Sequence, residues 1–155
     1  MKLISLVIMA ALAIPCYALQ GGKAEVFSSK DISSQLSVLA QKAKASGSSG
    51  STLGGYTSHT INLSLRTASG GAEVHGHFDD IFIVTQGQAT LVTGGTVLDA
   101  KSKGNGETMG SKIQNGTSQN IAKGDVVHIP AGTPHQLLLH GQVFSAIVIK
   151  VKEAQ

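Results

Sequence analysis

The sequence predicts an all-β domain with one short helix in front of it. Three observations predict this. From Tyr56 onward the apolar residues recur at a period of two; glycine is abundant, with 19 residues, and pairs up as Gly54-Gly55, Gly70-Gly71 and Gly94-Gly95; and only one segment keeps a helical period. Many short strands at short spacing mean a sandwich, a jelly roll or a barrel. With 155 residues, 41% of them hydrophobic and 14% charged, the chain has the size of one domain and enough apolar side chain for one core.

The elements follow in order. Lys2 gives a positive start, residues 3–14 are apolar apart from Ser5, and Cys16-Tyr17-Ala18 places small residues three and one before a cut. This is the pattern of a secretory signal peptide, and a run of about a dozen residues falls short of the ~20 that span a bilayer. A lipid-modified cysteine is the competing reading, but Pro15 stands where a small residue normally precedes such a cysteine. Residues 1–18 are therefore expected to be removed after Ala18, giving a secreted or periplasmic protein with no membrane span. Cys16 is the only cysteine, so the mature chain would have no thiol nucleophile, no disulfide and no cysteine metal site.

Residues 28–45 read as a helix. Ser28 with Asp31 resembles a capping box, and Ile32, Leu36, Leu39 and Ala43 share one face. Lys42 and Lys44 lie where the helix dipole favours cations, and Gly47 is a plausible stop. Residues 46–55 are Gly/Ser-rich and read as a linker. Residues 19–55 are thus a helical arm and linker, and the arm, having no core of its own, packs on the barrel or on the partner subunit of a homodimer.

Residues 56–152 hold the strands. His59, Ile61, Leu63 and Leu65 alternate with Ser58, Thr60, Asn62 and Ser64, a half-buried strand. Further strands are expected at 72–77, 81–85, 88–93, 96–99, 117–121, 125–129, 135–140 and 143–151. The polar, glycine-rich residues 100–115 read as a long loop. The formal charge is +3 with scattered lysines, Trp is absent and aromatics are 4%. A nucleic-acid partner needs clustered basic groups and stacking platforms, so none is expected.

Six histidines carry the chemistry. His75 and His77 are two apart in an expected strand and so share a face, which Glu73 shares too. Asp80 follows just before the apolar run Ile81-Phe82-Ile83-Val84, and His135 comes right after a Pro130-to-Pro134 turn. Two imidazoles on one strand, a nearby carboxylate and a distant imidazole form a donor set suited to a divalent Mn, Fe, Ni, Cu or Zn ion, while the absence of thiolate argues against a purely structural zinc. On spacing alone, a His-x-His pair on an edge strand is often just solvated.

The context adds a resemblance. Gly70-Gly71, then His75-Gly76-His77, then Asp80, then Gly87 resembles the first motif of the cupin superfamily. Gly124-Asp125, then Pro130-Ala131-Gly132, then His135 resembles the second. The resemblance covers roughly residues 56–151. It implies a single cupin-type jelly-roll β-barrel whose metal ligands project inward, here His75, His77, Asp80 and His135. The family usually has Glu where Asp80 stands, one or two residues further on; the shorter carboxylate reaches less far, so the carboxylate ligand is either Asp80 or, in its place, Glu73. The resemblance names no substrate.

If Asp80 and His135 point inward, alternation brings Phe82, Val84 and Leu137 into the pocket, which favours a small, partly apolar ligand. His128 lines the pocket or faces solvent. His59 lies on an apolar face and reads as a core residue, His140 as a solvated hairpin residue. If Asp80 binds the ion, Glu73 is the candidate for proton transfer, which requires a pKa raised by burial. Three functions follow: an exported metal-binding cupin with dioxygenase- or isomerase-like chemistry on a small molecule, a non-catalytic binder of a small molecule or sugar, and a metal-free structural barrel.

Overall fold

The computed structural model describes residues 22–153; the expected signal peptide, with Lys2, Cys16 and Ala18, lies outside the described residues. Helix α1 spans Ser29–Ser46. The Ser28 hydroxyl accepts the Asp31 N–H at 3.1 Å and starts it. Gly47, in the left-handed region at φ 80°, donates its N–H to the Ala43 carbonyl and stops it. Its Leu39 and Ala43 are buried against Leu63 and Leu65, with Ile32 and Leu36 beside them. The helix therefore covers the outer face of its own chain's sheet. No helix among the described residues is long and apolar enough to cross a membrane.

The strands are β1 (Ser48–Gly55), β2 (His59–Arg66), β3 (Ala72–His75), β4 (Phe78–Gln86), β5 (Gln88–Thr93), β6 (Thr96–Leu98), β7 (Lys101–Gly104), β8 (Glu107–Gly110), β9 (Lys112–Gln114), β10 (Thr117–Ala122), β11 (Val126–Ile129), β12 (His135–Leu138) and β13 (Phe144–Lys152). One sheet runs β1-β2-β13-β4-β11, a second runs β10-β5-β12-β3-β8-β7, and β6-β9 form a separate ribbon. Consecutive strands often sit in different sheets, which is jelly-roll connectivity. The sheets are not hydrogen-bonded into one closed barrel; they face each other. Phe82, Val84, Phe144, Ala146 and Val148 from the first meet Ala89, Leu91 and Leu137 from the second in a shared core.

Two segments depart from the sequence reading. The expected linker at 46–55 is mostly β1, an edge strand in antiparallel register with β2 from Ser48↔Arg66 to Gly55↔Thr60. Its Ser and Gly side chains contribute little, but ladder bonds use the backbone, and Leu53 packs into the cluster under α1. The expected loop at 100–115 contains β7, β8 and β9. Strand β8 pairs with β3 from Ala72↔Gly110 to His75↔Glu107, and β9 pairs with β6. The ribbon is tied to the second sheet by the buried Gln136, whose Oε1 accepts the Ile113 N–H at 3.1 Å and whose Nε2 donates to the Gly70 carbonyl at 2.8 Å.

Strand β2 sets the character of the interior. Its apolar residues Leu63 and Leu65 turn outward to α1. Its polar face, with Asn62, Ser64 and Arg66, therefore turns inward and lines a cavity between the sheets.

Candidate metal centre

The cavity has a volume of about 180 Å³. Strand β3 ends at His75, and the chain then turns through Gly76 and His77. Alternation within β3 therefore pairs Glu73 with His75 on the inner face. Strand β12 places His135 opposite Glu73 in register. The His75 and His135 ring centroids lie 5.1 Å apart. Glu73, His75 and His135 offer ligand atoms that all lie within 4.8 Å of one another.

Asp80 completes the inner wall from β4 and is only 3% exposed. Its Oδ2 lies 3.5 Å from His75 Nε2 and 3.8 Å from His135 Nε2. Its Oδ1 accepts from Lys150 Nζ at 2.8 Å, because Lys150 is its cross-strand partner in β13. A divalent ion with ligand bonds near ~2.1 Å holds adjacent donors roughly 3 Å apart. The observed spacings are slightly wider, so a small inward movement of side chains suffices, and the donor set fits an imidazole–carboxylate ion site.

Both imidazoles are oriented for this. The His135 Nδ1 lies 3.0 Å from the Thr133 carbonyl, which can only accept, so Nδ1 carries the proton and Nε2 keeps its lone pair. The His75 Nδ1 lies 2.5 Å from Glu107 Oε2, which fixes the same tautomer. Glu107 comes from β8, opposite His75 in register. The extra strands at 101–114 thus supply the carboxylate that holds a central histidine.

The electrostatics separate the groups. Glu73 is held down to about 2, first by its interaction with His75, then, against the opposing effect of burial, by Arg66 and His135. For His75, burial is the largest effect and pushes downward, but Glu73, Asp80 and Glu107 together outweigh it, even with Lys150 opposing, and its pKa ends above the ordinary value. Burial lowers His135 in spite of the Thr133 carbonyl and Asp80.

The structure places some of the other expected residues away from the cavity. His77 is exposed in the turn after β3 and lies outside the cluster; a side chain on Gly106 would strike its ring at 2.9 Å, so the two turns pack closely. His128 has a side chain 56% exposed and pairs with Asp79 Oδ2 at 3.0 Å. It is outside the cavity because Val126 and His128 take the outer face of β11, while Ile129 joins the core. Asp79 also accepts the Ala131 N–H at 2.8 Å and so ties down the turn before His135; His128 and this N–H hold its pKa below the usual range. Phe82 and Leu137 line the cavity, but Val84 lies deeper in the core. Glu73, expected in proton transfer through a pKa raised by burial, instead has its pKa lowered, first by its interaction with His75. His140 is exposed and bonds Thr90 Oγ1 at 3.0 Å, and His59 stacks on Tyr56.

Three residues escaped the sequence reading. Arg66 and Lys150 stand at the ends of alternating inner faces, after Asn62 and Ser64 and after Ala146 and Val148, and that alternation could have revealed them. Glu107 carries no such signal, because its position depends on the pairing of β8 with β3.

No protein-family model and no curated protein matches the sequence. Solved structures do share the fold. The DMSP lyase DddQ from Ruegeria pomeroyi superposes with a TM-score of 0.51 at 16% identity, over 70% of this chain and 48% of DddQ, so this chain spans about half of that protein's length. A protein with a double-stranded β-helix domain from Klebsiella pneumoniae gives 0.51 at 15% identity, over 68% of this chain and 76% of the other. The cupin domain of Schizosaccharomyces pombe Cnp3 gives 0.52 at 12% identity, over 68% and 65%. The architecture is that of the cupin double-stranded β-helix.

Proposed function

We propose that this chain is an exported cupin that holds one divalent transition metal ion, of the Mn, Fe, Ni, Cu or Zn class, at Glu73, His75 and His135, and acts there on a small molecule. The observation that carries this reading is the convergence of those three donors within 4.8 Å, with both Nε2 atoms left free by fixed Nδ1 partners. Such an ion, when bound, supplies a Lewis acid or redox centre with open coordination positions. Glu73 stays ionised at any working pH. Phe82 and Leu137 exclude water from one side of the cavity. Lys150 is committed to Asp80. Dioxygenase- or isomerase-like chemistry at such an ion, or capture of a ligand without turnover, is the reading this donor set supports. One fold neighbour, DddQ, is a lyase acting on a small molecule, DMSP.

Metal content against pH tests the reading. Ligating histidines must be neutral, so protons compete with the ion. His75 has a raised pKa and protonates first, so occupancy is expected to begin falling at a pH above the ordinary histidine value of about 6.5. Protonation of His135, whose pKa is lowered, follows only in more acid solution. Elemental analysis after equilibration across pH measures this directly. An apparent metal affinity that does not weaken between neutral pH and about 5, or no stoichiometric metal at neutral pH, contradicts the site.

Glu107 gives a second test. Glu107→Ala removes the partner of His75 Nδ1 without touching a donor atom facing the cavity. The expected result is a metal affinity about 10- to 100-fold weaker with the fold intact. Competition with a chromophoric chelator, beside circular dichroism, reads both. An unchanged affinity means that Glu107 does not orient the histidine.

Export rests on the residue 1–18 pattern. The mature protein is expected to begin near Leu19 and to contain no cysteine. N-terminal sequencing of protein from the producing cell checks it, and an intact Met1 or a lipid on Cys16 overturns it.

A further inference from the structure

We infer that the cavity takes a small carboxylic acid, whose carboxylate is held by the Arg66 guanidinium and whose apolar body lies against Phe82, Leu137 and Phe144. This rests on the metal reading above, since the ion is part of the charge balance.

Arg66 is placed for such a role. It ends the inward face of β2, its side chain is 19% exposed, and it lines the cavity. A guanidinium has five N–H donors in a planar fork. Among the described residues only one of them is engaged by a side chain, and weakly, by Glu73 Oε1 at 3.5 Å from Nη2. The fork has room because residue 70 is glycine: a Cβ there would stand 2.5 Å from Arg66 Nη1. The group is thus seated with an edge left over.

Charge then selects the sign of the ligand. In the cavity wall Arg66 and Lys150 balance Glu73 and Asp80. A divalent ion adds two positive charges to a half-buried space, where uncompensated charge is costlier than in water. Glu107, whose Oε2 lies 2.5 Å from His75 Nδ1, adds one further negative charge beside the cavity, so one carboxylate restores the balance. Lys150 is already bound to Asp80 at 2.8 Å, so the free recognition group is Arg66.

Shape selects the kind of anion. One free guanidinium edge pairs with two coplanar oxygens, as a carboxylate presents them. A tetrahedral phosphate holds its oxygens in no common plane, so that edge engages only two of them, and the rest of the ion faces a wall that Phe82, Leu137 and Phe144 make largely apolar. A cavity of about 180 Å³ is small and admits a short-chain acid.

The test uses metal-loaded protein with butanoate, its near-isosteric amide butanamide, and inorganic phosphate as probes, titrated by calorimetry or NMR. Metal content is measured for every sample. Wild type is expected to bind butanoate at least about tenfold more tightly than butanamide, and Arg66→Gln to lose that preference while keeping its metal. Arg66→Lys, which keeps the charge and loses the fork, is expected to lose part of it and guards against a folding defect in the first variant. Equal binding of butanoate and butanamide with metal in place overturns the inference and leaves the metal reading standing. So does an Arg66→Gln protein that keeps the preference, because the carboxylate is then held by the ion alone. Phosphate binding more tightly than butanoate overturns the choice of carboxylate. A wild-type protein that takes up no metal overturns the metal reading, and this inference with it.

Discussion

His135→Ala is expected to lose metal binding almost completely and to make the melting temperature insensitive to chelator. His135 is 5% exposed and lies opposite Glu73 in the β12–β3 pairing. It is the only one of the three converging donors that comes from the second motif, so it joins segments far apart in sequence through the ion. Binding energy available only to the folded state adds to stability by mass action, about 4 kcal/mol when free metal stands at roughly a thousand times the dissociation constant. The variant forfeits that term. It also leaves a small buried void and an unpartnered Thr133 carbonyl, so the metal-free protein should itself lose on the order of 1–3 kcal/mol. His140→Ala is the control: that ring is exposed, bonds only Thr90 among the described side chains, and should change neither quantity. Elemental analysis and thermal melts with and without chelator decide. A His135→Ala protein with a full complement of metal removes the site proposed here.

The all-β class was legible because its evidence is local, since period-two alternation and glycine turns survive in any single strand; the jelly roll was implied only by the resemblance of the two motifs. The candidate site was legible in His75, in His135 and in its two candidate carboxylates, while His77 was included because a strand continued that far would place it on the same face. The stretch Glu73-Val74-His75-Gly76-His77 contains two pairs at the same spacing, one Glu/His and one His/His. Which pair faces inward depends on where the strand ends. It ends at His75, and Gly76 donates its N–H to the Gly106 carbonyl at 2.9 Å in a turn-on-turn contact. Gly76 was the available warning, since glycine inside a strand pattern marks a close backbone approach.

What could not be read depends on partners remote in sequence. The polarity of the cavity is one case. An alternating strand has an apolar face, and the natural expectation is that this face turns to the core. In β2 it turns to α1, because the helix needs Leu63 and Leu65 to bury Leu39 and Ala43. The polar face is left to build the cavity, which is how Arg66 reaches it. The Gly/Ser-rich β1 is another case, since its place is fixed by backbone bonds to β2 that leave no mark in composition.

Lys150→Met is expected to move stability and metal affinity in opposite directions. Asp80 is 3% exposed, and Lys150 Nζ, 2.8 Å from its Oδ1, is its only cationic partner of Lys or Arg type among the described residues. Removing one member of a buried ion pair leaves an uncompensated charge, at a cost of about 3–5 kcal/mol. Methionine keeps the apolar stem of the lysine, so packing changes little. The metal-free variant should therefore unfold at markedly lower denaturant. The same change releases Asp80, whose Oδ2 already lies 3.5 and 3.8 Å from the two Nε2 atoms. In the wild type the lysine competes for that carboxylate, which leaves the ion three protein donors. In the variant Asp80 is available as a fourth, and metal affinity should rise at least about tenfold, in line with charge-assisted contacts worth roughly 1.5–3 kcal/mol. Asp80→Asn in the Lys150→Met background should cancel both effects, because the carboxylate is their common origin. Denaturant unfolding of the metal-free proteins and chelator competition on the loaded ones read the two quantities independently. A Lys150→Met protein that is destabilised yet binds metal no more tightly would show that Asp80 cannot reach the ion even when free, and that the lysine serves the carboxylate alone.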